Sequence, residues 1–407
     1  MKGLLFLLLL PIQLFSQGHN LEYFVTFARN SSPLLKDYQG QIQAGQVDSQ
    51  LIAATYKPQV NGNSNNYYAP VINGYGYDNA ITNGGQLLAL VQARKTFVGK
   101  NNLESQYESI RIQNRAIGNT SAIAENDLRK TVTAQYIVVY GDMVSLNFNR
   151  EILTLLEKED AILKSLTQNN TYNQADYLTF HVSLQQQQLF AKQSDIQFRN
   201  DYAILNYLCG IVDTSSASIA DPDLQLKTFP NVYNSIYYQQ FSLDSLRFLN
   251  QASLIHYSYR PKLDAFADAG YNSSLAYQGY KNFGTSFGMS LIVPIYDGKQ
   301  RKLKLNKIGI AEKTRTAYRD FFLKQYDQQI AQLMQQLKAT ESLIEEINGQ
   351  IKYSNRLIEV NGKLLETGNI RITDFIIAIN TYLNARNLLN QNYVNRLQII
   401  NQINYWQ

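Results

Sequence analysis

"LLETGNIRITDFIIAINTYLNARNLL", residues 364–389, sets one glycine and a short polar run between two segments whose apolar residues recur at helical spacing. Gly368 sits where a helix ends in a left-handed residue, and Thr373 and Asp374 sit where the next helix begins. The stretch therefore reads as the turn of a long helical hairpin close to the C-terminus.

Upstream of the turn the pattern is a heptad. Counting from Leu323, the positions Tyr326, Ile330, Leu333, Leu337, Thr340, Ile344, Ile347, Ile351, Ser354, Ile358, Asn361 and Leu365 keep strict three-four spacing, and nine of the twelve are apolar. A seven-residue repeat sustained over that length predicts a coiled coil with neighbouring helices. The helix of about 299–366 would be about 100 Å long at about 1.5 Å per residue. Its outer positions, as in "KQYDQQIAQLMQQLK" (324–338), are rich in glutamine and poor in ion-pairing partners. Such a surface suits a helix wetted on two sides, outside and inside a tube, although a plain bundle also accounts for the packing stripe.

The same design occurs earlier in the chain. "SQLIAATYKPQV" (49–60) aligns with "ASLIHYSYRPKL" (252–263), with Lys57 facing Arg260, and "GQLLALVQARKTFVGK" (85–100) aligns with "GTSFGMSLIVPIYDGK" (284–299). Leu51 and Leu254 are 203 residues apart, Gly85 and Gly284 199, and Asp176 and Asp374 198. One unit of some two hundred residues thus occurs twice, a duplication that precedes any reading of motifs. Shifted by 198, the heptad falls on Leu128, Val132, Val139, Leu146, Leu153, Leu156 and Leu163, with polar breaks at Gln135, Asp142, Asn149 and Asp160.

The expected layout follows. Residues 1–17 read as a secretory signal peptide, with one lysine before an apolar run and cleavage near Ser16 or Gln17. Residues 18–209 form the first repeat: helices, a β-hairpin at about 67–97 (strands 67–77 and 85–97), a long helix at about 101–167 and a helix at about 172–208. Residues 210–235 are a turn-rich linker. Residues 236–407 form the second repeat: a helix, a hairpin at about 260–297, a long helix at about 299–366 and a helix at about 370–405.

The extended segments alternate with period two. Leu263, Ala265, Ala267, Ala269 and Tyr271 share one face and Lys262, Asp264 and Asp268 the other; Phe283, Phe287, Met289, Leu291 and Val293 oppose Gly284, Ser286, Gly288 and Ser290. Strands of about ten residues, apolar on one face and polar on the other, are what an outer-membrane barrel uses. A soluble sandwich strand alternates in the same way, and the pairing with very long helices disfavours it. The chain offers four strands, which cannot close alone, and an open edge is not tolerated in lipid. Three chains would supply twelve strands, within the range of known barrels.

Other classes are excluded or unsupported. Beyond the leader no apolar stretch of about 18 residues offers a transmembrane helix. The formal charge of +5 is spread, with no basic stripe of the kind nucleic acid requires. Cys209 stands alone, so there is neither a disulfide nor an N-terminal lipid anchor on cysteine, and "YLCGI" makes it a buried apolar residue. His19, His181 and His256 are scattered without metal-ligand spacing. "GYGYDNAITNGG" (74–85) lacks the strand-and-helix context of a phosphate loop and reads as a hairpin loop on the extracellular side. No catalytic constellation and no cofactor site is found, and no enzyme is expected.

The order of elements, "SYRPKL" (258–263), "VPIYDGK" (293–299) leading into the long helix, and "TGNIRITDFIIAINTYLNARNLL" (367–389) together resemble the TolC-like outer-membrane efflux family, over essentially the whole mature chain. The resemblance implies a mostly α chain with membrane β. It implies a homotrimer forming a twelve-stranded barrel in the outer membrane of a Gram-negative bacterium, continued by an α-helical tunnel through the periplasm. A periplasmic adaptor and an inner-membrane transporter would complete the pump.

It also implies roles for residues. Gly368 matches the turn glycine, and Gly368, Asn369, Asn170 and Thr171 become the tips on which adaptors dock. Asp374 matches the first acid of an aperture ring; the second acid's position is Ile377, so the ring is less acidic or is completed by Asp176. Arg371 and Thr373 flank the turn as candidates for hydrogen bonds that hold the tips closed. The capping and gating readings of Thr373 and Asp374 can coexist. Leu263, Ala265, Ala267, Phe283, Phe287, Met289 and Leu291 would face lipid. A periplasmic coiled-coil adaptor and a structural cell-surface protein are the rival readings.

Overall fold

In the computed structural model the described residues are 19–78, 84–227, 231–274 and 278–406. The signal-peptide reading of residues 1–17 lies outside them, as do residues 79–83 of the first hairpin loop. The helices are α1 (Leu21–Ser31), α2 (Pro33–Thr55), α3 (Lys100–Gln168), α4 (Gln174–Cys209), α5 (Ile236–Ser258), α6 (Gln300–Glu366) and α7 (Ile372–Asn404). The strands are β1 (Gln59–Ala69), β2 (Gly84–Phe97), β3 (Lys262–Ser273) and β4 (Phe283–Ile292). The chain is thus mostly helical with a small four-stranded sheet.

It divides into two compact units. One holds the described residues up to Leu35 with Ala122–Ser235 and Leu323–Gln407; the other holds Lys36–Ser121 and Ile236–Phe322. Neither coincides with a sequence half, because α3 and α6 each contribute residues to both.

The second unit carries the sheet. Its order is β1-β2-β3-β4, and every pair is antiparallel. Register pairs Leu263 with Leu291, Ala265 with Met289 and Ala267 with Phe287, and brings Phe97, Ala93 and Val91 of β2 onto the same face, with Lys95 the one charge among them. This apolar face is open: Phe287 is 89% exposed and Met289 75%. The opposite face aligns Asp264 with Ser290 and Asp268 with Ser286, whose hydroxyl donates to Asp268 at 2.7 Å. On that face Phe266 covers Gly288, where a Cβ would lie 2.8 Å from the ring.

The first strand differs from the sequence reading. It runs 59–69, not 67–77, and residues 72–75 make only an isolated bridge. "QVNGNSNNYYA" has almost no apolar residue to alternate, so its hydropathy carries no strand signal. Its pairing partner is the informative element, since apolar β2 binds it along its full length. β4 likewise stops at Ile292, before Val293.

In the first unit the heptad stripe is the core. The buried residues of α6 are Tyr326, Leu333, Leu337, Thr340, Ile347, Ser354, Ile358, Asn361 and Leu365, all of them on the predicted stripe. On α3, Val132, Val139, Leu146, Leu156 and Leu163 are buried. Three of the four polar breaks in that stripe are met by α4. Gln135 donates to the Asp201 carbonyl at 3.1 Å, Asn149 donates to Ser194 at 2.9 Å, and His181 lies 3.2 Å from Asp160. Buried polar groups need such partners, and matched polar pairs also fix the register of two helices. Gly141 lets α7 approach α3, because a Cβ there would lie 2.4 Å from Val394. Cys209 is buried with Phe24, Tyr136 and Leu205.

Candidate functional site

The site is the end of the first unit where both helical hairpins turn. Each turn begins with the same helix stop. After α6, the Gly368 N–H donates to Leu365 (3.1 Å) and the Asn369 N–H to Leu364 (2.9 Å); after α3, Asn170 donates to Thr167 (3.0 Å) and Thr171 to Leu166 (2.9 Å). This paired closure needs a left-handed residue, and Gly368 (φ 73°) and Asn170 (φ 61°) supply it. Glycine and asparagine are the residues that adopt that conformation at least cost.

The two turns are packed on each other. A Cβ on Gly368 would lie 2.7 Å from Thr171 Cγ2, and the Tyr172 hydroxyl lies 3.1 Å from the Leu365 carbonyl and 2.9 Å from that of Ile370. Behind them Phe180 stacks on Phe375 at 6.4 Å, within a core shared by α3, α4, α6 and α7. Asn170, Thr171, Gly368 and Asn369 therefore come together at one end, and all but Gly368 are exposed.

The charged residues pair locally. Asn173 caps α4: its Oδ1 accepts from the Asp176 N–H at 2.8 Å, and its Nδ2 donates to the Asp176 carboxylate at 2.6 Å. On α7 the N-cap position is Arg371, which makes no side-chain cap bond. Its guanidinium grips Asp374 through two bonds of 3.0 Å. The capping reading of Thr373 and Asp374 is thereby corrected: neither side chain caps α7, because the Asp374 carboxylate is turned to Arg371 and Thr373 is exposed without a side-chain hydrogen bond. Arg371 is itself held above its ordinary pKa by that carboxylate. Both acids lie in the first turn of their helices, where negative charge suits the exposed N–H groups. Ile377 is exposed on the next turn.

Two residues here escaped the sequence reading. Tyr172 looked like one more tyrosine in a polar loop, yet it is the clasp between turns. Glu159, in the charged run "EKED", is buried at 5% exposure with Oε2 lacking a partner; burial pushes its pKa up while Lys158 opposes that shift. Among the described residues no group of three or more His, Cys, Asp or Glu is placed to hold a metal, and no helix is long and apolar enough to cross a membrane.

Compared by sequence, the chain matches no protein-family model and no curated protein. Compared by structure, it is similar to a membrane protein from Pseudomonas aeruginosa with a TM-score of 0.75 at 13% identity, covering 96% of this chain and 90% of that one. It is similar to the outer membrane protein VceC of Vibrio cholerae (TM-score 0.71, 14% identity, 95% of each chain). The open state of the Neisseria gonorrhoeae MtrE outer membrane channel gives a TM-score of 0.73 at 10% identity, over 95% of this chain and 88% of that one. The fold is that of the TolC-like outer-membrane channels.

Proposed function

We propose that the chain is one protomer of a trimeric exit duct in the outer membrane of a Gram-negative bacterium, extending into the periplasm. The observation that carries this reading is the sheet: four strands with an exposed apolar face and two open edges, β1 and β4. In lipid such edges must be paired, and three copies joined edge to edge make a closed barrel of twelve strands. Leu263, Ala265, Ala267, Phe283, Phe287, Met289 and Leu291 then face lipid, while Asp264 and Asp268 line the lumen.

The helices support the same closure. Leu178, Val182, Leu189 and Ile196 on α4, and Tyr353, Leu357, Val360 and Leu364 on α6, are exposed at heptad spacing beside the buried stripe. Apolar residues at that spacing suit a neighbouring helix, which a second copy supplies in a tunnel.

The duct is passive. A periplasmic adaptor docks on Gly368, Asn369, Asn170 and Thr171, and an inner-membrane transporter provides the energy. Opening separates the tips of neighbouring copies, with Asp374, Asp176, Arg371, Thr373 and Ile377 at the aperture. Because Arg371 offsets Asp374, Asp176 carries more of the ring's negative field. A periplasmic adaptor would have one coiled-coil hairpin, whereas two occur here, and a surface protein has no need of the apolar sheet face.

The test is conductance in planar bilayers. Wild type should form cation-preferring channels, and Asp176→Asn with Asp374→Asn should weaken that preference. Unchanged selectivity removes the acidic ring from the account; no conductance from outer-membrane material removes the duct.

A further inference from the structure

The ends of all four strands that join helices lie side by side, since Gln59 pairs with Arg94, Phe97 with Leu263 and Lys262 with Ile292. That end is strongly cationic. Lys100, Arg260, Lys262, Lys299, Lys302 and Lys304 are all exposed, and none has an acidic partner, although thirteen ion pairs occur elsewhere among the described residues. The acids nearest in sequence are already engaged. Asp297 accepts backbone N–H bonds from Lys299 (2.9 Å) and Arg301 (2.7 Å), and Asp264 accepts from Thr96 (2.5 Å). At the sheet's opposite end the described loop residues carry only Asp78 and Lys281.

The cations border grooves with aromatic walls. One, of about 680 Å³, is lined by Tyr56, Phe97, Lys100, Tyr257, Arg260 and Lys262; a second, of about 500 Å³, by Tyr259, Tyr296, Lys299 and Lys302. The Arg260 guanidinium lies 4.8 Å over Tyr257, and Lys304 lies 5.6 Å over Tyr259. Long cationic stems on aromatic surface, with their heads left without an acidic partner, suit a headgroup region and its phosphates.

We infer that this belt binds the phosphates of anionic phospholipids in the leaflet nearest the helices. The inference rests on the membrane reading above. Continuity chooses lipid as the occupant: Phe97, Leu263 and Leu291, at these same strand ends, lie on the sheet's exposed apolar face. Acyl chains on that face carry their headgroups to the height of the cations that lie beyond the strands; Lys262, on the same face as Asp264, is not among them. Arginine and lysine then serve differently, Arg260 as a planar donor to one phosphate and the lysines as mobile point charges.

The test uses the full chain, reconstituted into vesicles of phosphatidylcholine alone or in equal mixture with phosphatidylglycerol. Insertion is read as resistance to carbonate extraction, and retained lipid by native mass spectrometry after mild detergent. Wild type should retain phosphatidylglycerol over phosphatidylcholine at least about tenfold, given about fivefold for each basic residue at an anionic surface. The combined variant Lys100→Gln, Lys299→Gln, Lys302→Gln, Lys304→Gln should insert as well as wild type and lose the preference. The matching Lys→Arg set should keep it, which separates charge from folding. Equal retention in wild type and the Gln variant overturns the inference. So does loss of the bound lipid to excess inorganic phosphate, which marks a site for free anions. Failure of wild type to insert in either vesicle overturns the duct reading itself, and the lipid site with it.

Discussion

Replacing Asp142 by asparagine should stabilise the protein at alkaline pH, although it removes a charge from a helix rich in polar contacts. Asp142 stands on α3 opposite Asp201 of α4, and its Oδ2 is buried without a partner. Burial first, and then the facing Asp201 carboxylate, raise its pKa from the ordinary 3.8 to about 7. Asp201 itself is held by Gln135 and by Gln197, which donates at 2.5 Å. Two carboxylates so placed share one proton.

The folded pKa lies above the unfolded one, so the native state binds more protons between about pH 4 and about pH 7, and stability falls as pH rises through that window. Three pH units at about 1.4 kcal/mol each set a ceiling of about 4 kcal/mol, which partial exposure and proton sharing reduce to about 1–2 kcal/mol. The amide of an asparagine in place of Asp142 would donate to Asp201 at every pH and remove the repulsion. The assay is denaturant unfolding at fixed protein concentration near pH 5 and near pH 8. Wild type should lose about 1–2 kcal/mol between them and Asp142→Asn clearly less, the remainder coming from Glu159, whose burial raises its pKa as well. An equal loss in both proteins, or a variant less stable than wild type near pH 8, would refute the shared proton.

The tips and the core beside Phe24 offer three further predictions. Gly368→Ala forces a left-handed alanine at φ 73° and sets its Cβ against Thr171, so the turn should loosen at a cost of about 1–3 kcal/mol, read as faster amide exchange across residues 366–374. Tyr172→Phe removes the hydroxyl from two carbonyls and should cost about 1 kcal/mol, with faster exchange in both turns and unchanged exchange around Phe24. Burial pushes the Cys209 thiol up to about 12, so maleimide should leave it unlabelled in the native protein near pH 8 and label it fully once the chain is denatured.

The helical part of the fold was legible because long helices repeat their signal. The heptad on α6 named its buried residues, and at three of the four polar breaks on α3, Gln135, Asn149 and Asp160, α4 supplies a partner. The strands were legible where hydropathy alternates, as in β3 and β4, and illegible in β1, whose asparagines owe their extended form to pairing with β2. Yet "TYKPQV" aligned with "SYRPKL" already pointed to a strand starting just after Pro58, the place where β1 begins. At the tips the turn residues could be read from local chemistry, since left-handed glycine and asparagine are a property of the chain itself. The Tyr172 clasp and the burial of Glu159 could not, because each depends on a partner or a cover brought by folding.

The central claim is that four strands find their closure in other copies of the same chain. Its most direct test is the native mass of the full-length protein after mild detergent extraction from outer membranes. A trimer is predicted, with detergent bound as a belt around the apolar face of the sheet. A stable monomer would contradict the account, because a lone four-stranded sheet leaves two open edges that lipid does not tolerate.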